Sequence, residues 1–127
     1  MCKIIICEDG AVLRKIFKAY FSRQTKHEGH IASDGFEGLD LIEREHPDLV
    51  LTDISMPNLD GFQLAQSIRE NPALMTIPII FITGFDQRDD RKEAEQYNPV
   101  GYLVKPFKEP DMWNAIEDAL KESEVGS

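Results

Sequence analysis

Glu8, Asp9, Asp53, Thr83 and Lys105 are the residues whose types and positions could do chemistry together. Each closely follows a short apolar run. Ile4-Ile5-Ile6-Cys7 leads to Glu8-Asp9, Leu49-Val50-Leu51-Thr52 to Asp53, Ile79-Ile80-Phe81-Ile82 to Thr83, and Tyr102-Leu103-Val104 to Lys105. If the runs are parallel strands, three carboxylates, a hydroxyl and an ammonium emerge at one sheet edge. Such a set suits a Mg²⁺-dependent phosphoryl site with Asp53 as acceptor. Mg²⁺ takes oxygen ligands, commonly one or two carboxylates with water and phosphate oxygens completing an octahedron. Asp9 and Asp53 are the candidates for direct ligation, Glu8 acts through water, and the Ser55 backbone carbonyl offers a further oxygen. Crowded carboxylates raise one another's pKa. The cation and Lys105 would offset this and keep Asp53 an ionised nucleophile, leaving catalysis to positioning and charge neutralisation.

The elements that must position these groups alternate along the chain. Apolar runs of strand length alternate with amphipathic stretches of helix length, which points to an α/β fold with a parallel sheet. Strands are expected near 3–8, 29–33, 49–53, 77–82 and 101–104, the second of them a weak edge strand. Helices are expected near 11–23, 35–45, 61–70, 87–97 and 111–121. The first carries Val12, Leu13, Ile16, Phe17, Tyr20 and Phe21 at helical spacing, and the second buries Phe36, Leu39 and Ile42. In the fourth, only Ala94 and Tyr97 could face a core, so it is the segment expected to move most easily. Trp113 and its helical neighbours read as core, and residues 123–127 as a loose tail after a domain spanning 1–122.

At 127 residues the chain has the size of one domain. No apolar run approaches the roughly 20 residues that span a bilayer, and no signal-like segment opens the chain, so a cytoplasmic location without membrane contact is expected. Its net charge of -9 argues against direct nucleic-acid binding. Cys2 and Cys7 lie about 16 Å apart along an extended strand, too far to pair. His27, His30 and His46 have no ligand spacing and are expected on the surface.

Four segments together resemble the receiver domain of two-component response regulators, over essentially the whole chain. Ile4–Asp9 looks like the family's first strand and acidic pair. The segment Asp53-Ile54-Ser55-Met56-Pro57-Asn58-Leu59-Asp60-Gly61 is similar to its phosphoacceptor loop. Ile82-Thr83-Gly84 resembles its strand-four switch, and Gly101-Tyr102-Leu103-Val104-Lys105-Pro106-Phe107 its strand-five signature. The resemblance implies a doubly wound, flavodoxin-like sheet of five parallel strands, order 2-1-3-4-5, flanked by five helices. It implies a phosphoryl group received on Asp53 from a histidine kinase or histidine phosphotransfer protein, with Mg²⁺ as cofactor and the chain catalysing only its own phosphorylation and dephosphorylation. Thr83 would then hydrogen-bond the phosphoryl group and Tyr102 swing inward, changing protein contacts through the α4-β5-α5 face and allowing a phosphorylation-dependent dimer. The Lys105-Pro106 bond would be cis. Gly10 departs from the more usual polar residue and could alter the start of helix one. Phe85, at a variable position flanking the site, is expected to shield the phosphoryl group from water.

Two other functions compete. A Mg²⁺-dependent aspartyl-phosphate phosphatase of the haloacid dehalogenase type would want an acid two positions after the nucleophile, where Ser55 stands, and a cap domain. A degenerate receiver that binds partners without phosphorylation sits poorly with the intact acidic pair, Asp53, Thr83 and Lys105.

Overall fold

The computed structural model describes residues 2–84 and 88–125. Strands β1 (Cys2–Cys7), β2 (His27–Ala32), β3 (Leu49–Asp53), β4 (Ile79–Gly84) and β5 (Gly101–Lys105) alternate with five helices. These are α1 (Ala11–Ser22), α2 (Gly35–Glu45), α3 (Gly61–Glu70), α4 (Arg88–Ala94, continued by a 3-10 turn, Glu95–Tyr97) and α5 (Glu109–Val125). All neighbouring strands are parallel, in the order β2-β1-β3-β4-β5. Strand order reverses between β1 and β3, and a crevice outside the carboxyl ends at such a point is where open α/β sheets bind ligands.

The central strands read as unbroken apolar runs because helices cover both faces of the sheet. On one face Ile5, Val50 and Phe81 pack with Ile42 of α2, Leu64 and Ile68 of α3, and Ala94 of α4. On the other, Ile4, Ile6, Leu51 and Ile82 pack with Phe17 and Phe21 of α1 and Met112 and Ile116 of α5. β2 is an edge strand, as its low apolar content implied. Among the described residues no helix is long and apolar enough to cross a membrane.

Several local expectations are corrected. Phe36 is 56 % exposed, because the buried stripe of α2 runs through Gly35, Gly38 and Ile42. Val12 is likewise exposed, since α1 turns Phe17 and Phe21 inward. His27 is buried rather than on the surface: its Nε2 lies 2.8 Å from Glu117 Oε1 and its ring stacks on Trp113. His30 is half-buried, and only His46 is exposed. Helix α5 starts earlier than expected because Pro110 fits the first turn of a helix, where its missing N–H costs nothing. It also continues to Val125, through residues such as Lys121 and Glu122 that favour helix without core contacts.

Candidate functional site

Asp53 ends β3, nearly buried at 9 % exposure. A close backbone approach holds the start of α3 against it. A Cβ on Gly61 would lie 2.2 Å from the Asp53 carbonyl oxygen, so only glycine lets α3 begin against the end of β3. The Gly61 N–H also donates to Ile54 O at 2.8 Å. Asp60 caps α3 reciprocally with Gln63: Asp60 Oδ1 accepts from the Gln63 N–H, and Gln63 Oε1 from the Asp60 N–H. Asp60 is therefore a helix cap, in line with its structural reading from sequence.

Glu8 follows β1 and is 2 % exposed. Its Oε2 accepts the Gly10 N–H at 2.8 Å. Its Oε1 is buried without a hydrogen bond, 3.4 Å from Lys105 Nζ. Burial pushes the Glu8 carboxyl above its ordinary pKa and Asp53 adds to this, against the Gly10 N–H and Lys105. From β5, Lys105 reaches across β4 and donates to Asp53 Oδ2 at 3.1 Å. Burial works against its charge, but the carboxylates of Asp53 and then Glu8 outweigh that and raise its pKa. Asp9 is exposed beside them, and one carboxylate oxygen from each of Glu8, Asp9 and Asp53 lies within 4.8 Å of the others. Three hard oxygen donors this close together, with Glu8 also carrying a buried oxygen that lacks a hydrogen bond, match what a small divalent cation takes. An acidic cleft of about 560 Å³ opens beside them, lined in part by Asp9, Ser55, Asp60, Asp90 and Glu93.

Thr83 is buried on β4, one residue beyond Ile82, the register partner of Asp53, and its hydroxyl donates to Gly84 O at 3.2 Å. Tyr102, on β5 opposite Phe81, is half-buried. Its hydroxyl donates to Glu95 Oε1 at 2.8 Å, and the Arg91 guanidinium sits 4.7 Å from its ring centre. Burial, then the Glu95 hydrogen bond, pushes its pKa up to about 12. The Lys105-Pro106 peptide is cis. Phe85 lies outside the described residues. Gly10 caps α1 without a side-chain hydrogen bond.

Three contributors escaped the sequence reading. Arg14 Nη1 donates to the carbonyls of Asp9 and Glu8. Arg69 donates to the carbonyls of Met75, Ile77, Tyr97 and Asn98, pinning the turn that follows α4. Glu95 holds Tyr102. Only Arg14 left a signal: a cation in the first turns of a helix opposes the helix dipole and so calls for a local acceptor. The fourth helix keeps the sparse apolar anchor expected of it, and that anchor is at its end: Ala94 is buried and the Tyr97 ring stacks on Phe62.

The comparisons with known proteins agree with this geometry. The family model described as response regulator receiver domain matches residues 4–117. The transcriptional regulatory protein PdtaR of Mycobacterium tuberculosis is 35 % identical over 118 residues, 93 % of this chain and 56 % of its own length. The polar-differentiation response regulator DivK of Brucella ovis is 29 % identical over 117 residues, 92 % of this chain and 94 % of its own. The chain spans about half the length of the first curated relatives it matches. Among solved structures, the receiver domain of sensor histidine kinase PA1611 from Pseudomonas aeruginosa superposes with a TM-score of 0.84 at 27 % identity, over 94 % of this chain and 98 % of its own. That domain was solved with a magnesium ion coordinated in its active-site cleft. From its fold, the order of its four strand-end segments and a family match over nearly its whole length, the chain belongs to the response regulator receiver domains.

Proposed function

We propose that this chain is a phosphorylation-driven switch that accepts a phosphoryl group on Asp53 from the phosphohistidine of a histidine kinase or phosphotransfer protein. The observation that carries this is the convergence of the Glu8, Asp9 and Asp53 carboxylates within 4.8 Å while the Lys105 ammonium contacts Asp53 at 3.1 Å. In the transfer, an Asp53 carboxylate oxygen forms the new P–O bond as the donor's P–N bond breaks, and the departing imidazole keeps the electron pair. Asp9, Asp53 and the Ser55 carbonyl would hold Mg²⁺, with Glu8 acting through water, and the bound ion would supply charge neutralisation for the phosphoryl oxygens. Lys105 binds a further phosphoryl oxygen. Thr83 then donates to the bound group, and Tyr102 leaves Glu95 to turn inward. A phosphoryl group brings charge and strong acceptors, enough to bias a two-state element. The face formed by α4, β5 and α5 changes its partners in consequence, another copy of this chain among them.

The phosphatase alternative lacks an acid at the second position after Asp53, where Ser55 is exposed. Incubation with a phosphohistidine-bearing donor protein and Mg²⁺ tests the proposal. Label passing to this chain and not to Asp53→Asn supports it; equal labelling of the two refutes it.

A further inference from the structure

We propose that Arg14 is a positioning residue for the cation site, holding Asp9 in the orientation that ligation requires. This rests on the Mg²⁺ site proposed above.

Lys105 serves two of the three carboxylates directly, contacting Asp53 at 3.1 Å and Glu8 at 3.4 Å. Asp9, the exposed member, is held through its backbone. Arg14 Nη1 donates to the Asp9 carbonyl at 2.5 Å and to the Glu8 carbonyl at 3.3 Å. The N–H of the same Asp9–Gly10 peptide donates to Glu8 Oε2 at 2.8 Å. That peptide plane is thereby fixed from both sides, its oxygen by Arg14 and its hydrogen by Glu8. Glu8 Oε2 is thereby engaged, while Oε1 is buried without a hydrogen bond. Gly10 supplies no side-chain cap, and the first turn of α1 has no acidic residue, so beyond the backbone bonds from the Glu8 N–H to Ala32 O and from the Arg14 N–H to Gly10 O the Arg14 side chain is what braces the Asp9 carbonyl.

Charge and geometry act in opposite directions here, which makes the sign of the effect decisive. A guanidinium near a dication repels it, so on charge alone its removal would tighten Mg²⁺ binding. Partners that orient metal ligands typically contribute about 10–100-fold in affinity, so loss of the clamp weakens binding if positioning dominates. Lysine keeps the charge but not the planar fork.

The test is calorimetric titration of Mg²⁺ alone into the wild-type chain, Arg14→Gln and Arg14→Lys, with melting temperatures taken in EDTA. We expect Arg14→Gln to bind Mg²⁺ about tenfold or more weakly and Arg14→Lys to fall between it and wild type, with metal-free melting nearly unchanged. Equal or tighter binding by a folded Arg14→Gln overturns the inference. If Arg14→Gln does not fold, Arg14→Lys decides, and wild-type affinity in that variant overturns it. Failure of the wild-type chain to bind Mg²⁺ would overturn the site proposal as well, whereas wild-type binding with indifferent Arg14 variants overturns only the role of Arg14.

Discussion

The Tyr102 hydroxyl donates to Glu95 Oε1 at 2.8 Å, tying β5 to the turn that closes α4. An inward swing of Tyr102 must break this bond and the Arg91 contact on the ring. Glu95→Gln is expected to lower the Tyr102 pKa from about 12 toward its ordinary value of 10, read by NMR of labelled tyrosine. A folded pKa above the unfolded one means that this contribution to stability is complete below pH 10 and lost as pH rises toward 12. Wild type should therefore lose stability more steeply than Tyr102→Phe across that window.

Glu8 carries the same sign at acid pH. Its raised pKa means that ionising it costs folding free energy in the metal-free protein, a cost absent below the ordinary carboxyl pKa and complete once pH exceeds the folded one. In EDTA at about pH 7, Glu8→Gln should melt higher than wild type, and the difference should shrink as pH falls toward 4.5. In Mg²⁺ the order should reverse, because the variant lacks the carboxylate. Thermal melts across pH in both buffers check this.

Gly61→Ala would force a Cβ against the Asp53 carbonyl oxygen. Overpacking of this kind costs about 1–3 kcal/mol, and here the displaced backbone is that of Asp53 itself. Chemical denaturation should show the loss of stability, and phosphorylation by a small-molecule donor should slow further than in an equally destabilised variant elsewhere, such as Ala119→Gly.

Arg69 contacts four backbone carbonyls across two loops. The contacts to Tyr97 O and Ile77 O are partly buried and the other two exposed. A carbonyl left without a partner away from water costs about 1–3 kcal/mol, so Arg69→Met should lose about 3 kcal/mol in urea unfolding. Arg69→Lys should recover only part of it, since an ammonium cannot reproduce the fork. Equal stability of all three proteins would contradict the clamp.

Much of this was legible in the sequence because the central strands are buried on both faces and must be apolar throughout. Ile4-Ile5-Ile6, Leu49-Val50-Leu51 and Ile79-Ile80-Phe81-Ile82 announce themselves, and the polar residue ending each run marks the site. What stayed hidden depends on long side chains whose reach has no periodicity. Arg69 and Arg14 bond to carbonyls, which sequence does not display, and the partner of His27 lies 90 residues away at Glu117. Phe36 misled because one apolar residue beside a helical stripe looks like part of it.

The most direct measurement is intact mass after incubation with acetyl phosphate, with and without Mg²⁺, for wild type and Asp53→Asn. The expected result is a single added phosphoryl group on wild type that requires Mg²⁺ and is missing from Asp53→Asn. An unmodified wild-type chain in Mg²⁺, or equal modification of Asp53→Asn, would contradict the assignment of Asp53 as the phosphoacceptor.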